Sequence, residues 1–212
     1  MNGKANESLL SEVASYYSDK LAEYGETPLG VDWNGQEGQT LRFEQLCKII
    51  DTKNHFSIND LGCGYGALYD FLVNKYDEPS YLGVDVSKEM IKAAERLYKD
   101  QPQASFMLSS EPNQVADFGV ASGIFNVRMG RSDREWQSYL EATLNVLNRT
   151  SRVGFAFNCL TSYSDKDKMR DYLYYADPCV LFDLCKRRYS RNVSLLHDYD
   201  LYEFTVLVRK PS

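Results

Sequence analysis

Asp60-Leu61-Gly62-Cys63-Gly64-Tyr65-Gly66-Ala67 sets three glycines at alternate positions between a short strand-like run, SINDLG, and a helical one, Ala67–Tyr76. Glycine lets a backbone turn sharply and lets a ligand approach where a Cβ would clash. A helix N-terminus adds free N–H groups. Nineteen residues beyond Gly66, at the end of the next strand-like run YLGVDV, stands Asp85. In an open α/β sheet an acid at that place reaches a ribose diol in the crevice outside the strand ends. A carboxylate can accept from both hydroxyls of such a diol.

Working outward, strands and helices alternate. Ser87–Tyr98 reads as a helix with Ser87 as N-cap and Met90, Ile91, Ala94 and Leu97 as its inner stripe. SFML is a third strand, and FGVASGIF a fourth, apolar enough to be buried on both faces. Glu135–Leu147 is helical and SRVGFAFN is a fifth strand. A polar loop, TSYSDKDK, leads to a helical stretch interrupted by Pro178. VSLLHDYDLYEFTVLV closes the chain as two strands around a short turn. The expected fold is therefore α/β: a doubly wound, mostly parallel seven-stranded sheet with a C-terminal antiparallel hairpin. Upstream, Leu9, Leu10, Val13, Tyr16, Tyr17 and Leu21 recur at helical spacing over Ser8–Tyr24. The Gly-rich loop GETPLGVDWNGQEGQT and a second helix leading to Asp51 follow. Residues 1–52 are read as an N-terminal helical cap, and residues 53–212 as the core.

Composition narrows the function. Of 212 residues, 43% are hydrophobic, enough for a packed core. Lys and Arg number 24 against 30 Asp and Glu, a net charge of −6, so the basic excess that grips nucleic acid is missing. No apolar run approaches the roughly 20 residues of a spanning helix. The start carries no apolar stretch of signal-peptide length, so the cytoplasm is the expected compartment. Five cysteines without a C-x-x-C and two histidines point to no metal site.

Gly62-x-Gly64-x-x-Ala67 also fits the dinucleotide fingerprint, which makes an NAD-dependent oxidoreductase a competing reading. Asp60, two residues before the first glycine, opposes a pyrophosphate dianion. It suits a cofactor that carries an amino group and a sulfonium.

These residues resemble the class I S-adenosylmethionine-dependent methyltransferases. The resemblance rests on Asp60-x-Gly62-x-Gly64-x-Gly66 and Asp85, with Asp117 and VASGIF similar to the family's fourth-strand motif, and runs from about Phe56 to the end. It implies S-adenosyl-L-methionine as cofactor, with S-adenosyl-L-homocysteine as product. Asp60, Gly62, Cys63, Gly64 and Gly66 would lie under its methionine part and ribose. Asp85 would hold the ribose hydroxyls, Val86 would touch adenine, and Ser109 and Ser110 would border it where the family often has an Asp. Ser122, on the fourth-strand motif, is a further candidate.

Transfer of a sulfonium methyl needs an acceptor held close and in line, with water excluded. Asn126 and Arg128 after the fourth strand, Asn158 after the fifth, and His197 in the final turn are expected at the carboxyl edge. His197 is the candidate general base and Arg128 the candidate holder of an anionic group. Tyr17 and Trp33 are expected to close over the cofactor. The expected function is methyl transfer to oxygen or nitrogen of a small molecule. The alternative is a non-catalytic regulatory module that binds S-adenosylmethionine. Expected partners are the small-molecule acceptor and a second copy in a homodimer, with no nucleic acid and no membrane.

Overall fold

The computed structural model describes residues 3–52 and 55–211, with side chains from Ser8 onward. Its strands are β1 (Ser57–Leu61), β2 (Ser80–Asp85), β3 (Ala104–Leu108), β4 (Ala116–Ala121), β5 (Ser151–Leu160), β6 (Asn192–Leu196) and β7 (Glu203–Arg209). Its α-helices are α1 (Gly3–Tyr24), α2 (Gln36–Leu46), α3 (Ala67–Val73), α4 (Lys88–Leu97), α5 (Asp133–Arg149) and α6 (Pro178–Arg188).

The strands form one sheet in the order β3-β2-β1-β4-β5-β7-β6. β3, β2, β1, β4 and β5 are mutually parallel, and β7 runs antiparallel to both neighbours. The expected doubly wound sheet with its antiparallel hairpin is present. The chain winds outward from β1 in one direction, then from β4 in the other. The crevice between the carboxyl ends of β1 and β4 is thus the topological switch point where α/β sheets bind ligands.

Two apolar layers sandwich the sheet. On one face Phe43, Leu46, Leu68, Leu72 and Ile91 meet Ile58, Phe118 and Val120. On the other, Leu140, Leu144, Leu147, Leu181 and Cys185 meet Phe155, Phe157 and Phe204. Each fully buried leucine or phenylalanine contributes about 1.5–3 kcal/mol relative to exposure. Phe43 and Leu46 build α2 into this core, so of residues 1–52 it is α1 and the 25–35 segment that lie over the sheet edge.

Several boundaries differ from the sequence reading. Pro178 starts α6 instead of interrupting a helix, because its missing N–H costs nothing in the first turn. Asp177 caps it, accepting from Cys179 N and Val180 N at 2.8 and 3.2 Å. β4 stops at Ala121, four residues before FGVASGIF ends, where Gly123 takes φ +76°. Leu97 is 47% exposed at the end of α4, while Met90, Ile91 and Ala94 are buried. Ser87 does cap α4, its Oγ accepting from Met90 N at 3.1 Å.

Candidate functional site

The carboxyl ends of β1, β2 and β4 floor a cavity of about 270 Å³. Tyr17, Val13 and Leu10 of α1, spaced for one helix face, roof it together with Val31 and Trp33. α1 is fastened at both sides of the crevice. Ser18 Oγ lies 2.9 Å from Ser87 Oγ at the start of α4, and Glu12 pairs with Arg131 in the β4–α5 connection. The loop below is held to α1 through Asp32, which accepts from Tyr16 Oη at 2.8 Å and pairs with Lys20 Nζ at 2.9 Å.

In the glycine turn the backbone donors are mostly committed to the protein. Gly62 N and Cys63 N both donate to Val84 O, at 2.7 and 3.1 Å. Gly66 N donates to Cys63 O at 3.0 Å. Gly64 N donates to Asp85 Oδ2 at 2.9 Å, and Ser87 N donates to Asp85 Oδ1 at 2.8 Å. Asp85 is thereby locked in one orientation at the cavity wall, with acceptor lone pairs still to spare. Burial pushes its carboxyl up, against the backbone donors of Ser87, Gly64 and Val86. Asp60, 3% exposed, accepts from Tyr81 Oη at 2.7 Å. Burial raises its pKa to about 7; the Tyr81 bond opposes that shift and the nearby Asp85 charge adds to it.

The charge of the site decides between two cofactor classes. Among the described residues lining the cavity, the ionisable carboxylates are Asp60, Asp85 and Glu111, and there is no Lys, Arg or His. A buried pyrophosphate would meet carboxylates and a turn whose N–H groups are largely used, so a dinucleotide does not fit. A ligand carrying an ammonium and a sulfonium does: a buried carboxylate held partly protonated by desolvation gains from an incoming cation.

Gly62, Cys63, Gly64, Asp60, Asp85, Val86, Ser109, Ser122, Tyr17 and Trp33 all line the cavity. Ser110 does as well, beside Glu111, which pairs with Arg149. Gly66 does not. It sits at φ +87° on the far side of the turn, where a Cβ would come within 2.7 Å of Tyr98 and 3.0 Å of Phe106. Its role is to let α3 leave the turn against that aromatic wall.

The acceptor-side candidates lie elsewhere. His197 is exposed at the end of β6, the edge strand, with its ring 5.9 Å from Tyr163 and 6.0 Å from Phe204. The hairpin turn does reach the expected edge, but β7 and β5 separate it from the crevice. Asn126 is buried, accepting from Leu160 N at 3.1 Å, and braces β5. Arg128 pairs with Asp133 and lies 5.9 Å from the Tyr174 ring. None of the three lines the cavity. Asp117 sits at the start of β4, at the opposite edge, where Ser57 N donates to it at 2.9 Å. Asn158 accepts from Gly123 N at 2.7 Å and donates to Ser122 Oγ at 3.3 Å, so it shapes the β4 exit from below.

Sequence reasoning missed Tyr139, Ala142, Thr143 and Val146, one face of α5 that walls the cavity, and Gln39 of α2. Their helical spacing is the same signal as ordinary core packing, so nothing in the pattern marks them as pocket residues. Burial raises the Tyr139 hydroxyl to about 12, opposed by a hydrogen bond with Thr143, and pushes Tyr17 up as well, so these phenols stay neutral.

Among the described residues, no group of three or more His, Cys, Asp or Glu could hold a metal ion. No helix among them is long and apolar enough to cross a membrane.

Residues 59–152 match the methyltransferase domain family. The chain is 59% identical over 165 residues to "Putative methyltransferase Rv1506c" of Mycobacterium tuberculosis, covering 78% of this chain and 99% of that protein. Among solved structures it is similar to the DhpI-SAM-HEP complex: TM-score 0.64, 16% identity, 95% of this chain and 97% of that one. It is also similar to magnesium protoporphyrin IX methyltransferase (ChlM) from Synechocystis PCC 6803 with bound SAM. There the TM-score is 0.60 at 12% identity, covering 82% and 81% of the two chains.

Proposed function

The chain belongs to the methyltransferase family, and we propose that it transfers the methyl group of S-adenosyl-L-methionine to an oxygen or nitrogen of a small molecule in the cytoplasm. The observation that carries this is the cavity at the β1/β4 switch point, whose described lining residues include three carboxylates and no Lys, Arg or His, with Asp85 fixed by the glycine turn.

When bound, the cofactor supplies a methyl already activated by its sulfonium. Asp85 holds the ribose diol with the lone pairs that Gly64 and Ser87 leave open. Val86 and Ser109 lie beside the adenine, and Asp60 faces the cationic end. Tyr17 and Trp33 exclude water from above, which sharpens every charge interaction inside. Asn158 keeps Ser122 and Gly123 in place at the β4 exit, where an acceptor would approach. Holding the acceptor close and aligned can supply about 7–11 kcal/mol in well-arranged systems. Neutral Tyr17 and Tyr139 can orient a hydroxyl or amine by hydrogen bonding without adding charge.

Calorimetric titration with S-adenosylmethionine, S-adenosylhomocysteine and NAD(H) tests the cofactor. Binding of the first two and none of the third is expected; preference for NAD(H) would reverse the assignment. Methyl transfer is then sought with labelled cofactor over a panel of small alcohols, amines and acids. Cofactor binding with no consumption over the panel would favour the non-catalytic regulatory module instead.

A further inference from the structure

Trp33 belongs to a polar loop, yet its ring has two fixed neighbours, one of them braced from behind. Below it is Gly123 at the β4 exit, where a Cβ would come within 2.5 Å of the indole Cζ2. Beside it the Arg42 guanidinium lies 3.9 Å from the ring centroid. Behind Arg42 is Glu203, the first residue of β7, which accepts from Arg42 Nε and Nη2 at 2.9 Å each. The pair is nearly dry: the Arg42 side chain is 12% exposed and that of Glu203 1%.

Arg42 and Glu203 are not among the cavity-lining residues, and the mechanism above leaves a buried ion pair without a task. A buried pair is weak evidence for stability, because desolvation cancels much of its attraction. A planar guanidinium gripped on two nitrogens has a fixed plane, and that plane is what an indole stacks on. β7 is antiparallel, so its first residue lies at the carboxyl edge of the parallel strands, paired with Leu160 of β5, two residues beyond Asn158, which pins Gly123. Adjacent strands thus hold both sides of the same indole.

We infer that Glu203 and Arg42 are positioning residues: together with Gly123 they clamp Trp33 in the orientation that walls the cavity over the β4 exit. One arm of the test rests on the cofactor reading, and the other is independent of it. The lever is Glu203→Gln, which keeps the shape and removes the charge that fixes the guanidinium.

The full chain is labelled with 5-fluorotryptophan, giving one fluorine resonance each for Trp33 and Trp136, assigned with Trp33→Phe. In Glu203→Gln the Trp33 resonance should narrow and move toward the position of the free amino acid. That of Trp136, buried against Tyr139 and Tyr174, should stay and report an intact fold. Affinity for S-adenosylhomocysteine should weaken about tenfold, equivalent to about 1.4 kcal/mol. In a Trp33→Phe background the same substitution should change that affinity less than about twofold, because coupled residues are not additive.

An unmoved Trp33 resonance in folded Glu203→Gln overturns the clamp. So does an equal loss of affinity in both backgrounds, the mark of a general structural role. If Glu203→Gln does not fold, Arg42→Lys decides by the same readouts, since it keeps the charge but loses the fork and the plane. If the unaltered chain binds no S-adenosylhomocysteine, the cofactor reading falls, and the fluorine spectrum still decides the clamp.

Discussion

The floor and the roof of the cavity are built in opposite ways. The β1–β2 part of the floor is one continuous piece of chain, from Asp60 through Asp85, held by backbone donors to Val84 O, Cys63 O and the Asp85 carboxylate. The roof and the β4 exit are assembled by side chains from positions 17, 33, 42, 158 and 203, spread over most of the sequence, around the bare backbone of Gly123. A backbone-made surface is rigid and indifferent to most substitutions. A side-chain-made surface can be retuned one residue at a time. On the proposed function, the cofactor lies on the first and the acceptor meets the second.

That division predicts an ordering of effects. The largest belongs to the floor. Asp85→Ala removes both the diol acceptor and the partner of Gly64 N. Affinity for S-adenosylhomocysteine should fall about 100-fold, as expected for charge-assisted bonds worth about 1.5–3 kcal/mol each. Calorimetry reads this directly, and a loss under fivefold would mean that Asp85 does not hold the ribose.

Next comes the roof. Trp33→Ala should weaken cofactor binding about tenfold, or about 1.4 kcal/mol. Urea denaturation should show the fold retained. A loss as large as that of Asp85→Ala would erase the distinction between the two surfaces.

A smaller effect is set by pH. The Asp60 carboxyl titrates at about 7 in the folded chain because of its burial, above the ordinary carboxylate range. Below that pH it is protonated and cannot answer a cation. Affinity for the sulfonium cofactor should therefore drop a few-fold, and at most about tenfold per unit, as pH falls from 7 to 6, and level off above about 7.5. Asp60→Asn should abolish that slope. Linkage gives the opposite trend for the empty protein. The native state binds the proton more tightly than the unfolded chain, so stability declines as pH rises toward 7. A cofactor affinity that does not vary with pH would remove Asp60 from the cationic end.

The smallest effect should come from the far edge of the sheet. His197→Asn is expected to leave turnover within about twofold, since such exposed positions usually shift energies by no more than about 0.5 kcal/mol. A collapse of turnover would mean that the hairpin reaches the crevice after all, and that the acceptor side extends across β5 and β7.

The limits of sequence reading follow the same line. Gly62, Gly64 and Asp85 were legible because a left-handed turn and a strand-end acid demand particular residue types at particular spacings. His197 was misplaced because topology puts a residue at an edge of the sheet without saying how many strands away. Tyr139, Thr143 and Gln39 were invisible because a pocket wall and a core stripe share one helical period. Trp33 stood out for the opposite reason: nothing local explained an indole in a polar loop.

By itself, then, the chain's order of apolar and glycine-rich stretches determined the winding of the sheet and the glycine turn with Asp85 one strand over, at the end of β2. Those are consequences of backbone geometry and of residues close together in sequence. The tertiary structure alone decided which remote groups meet above that floor: Arg42 with Glu203, Asn158 with Gly123, and Trp33 with Gly123. Contacts made across 35 to 161 positions depend on how strands are ordered and how side chains pack, and no local period records them.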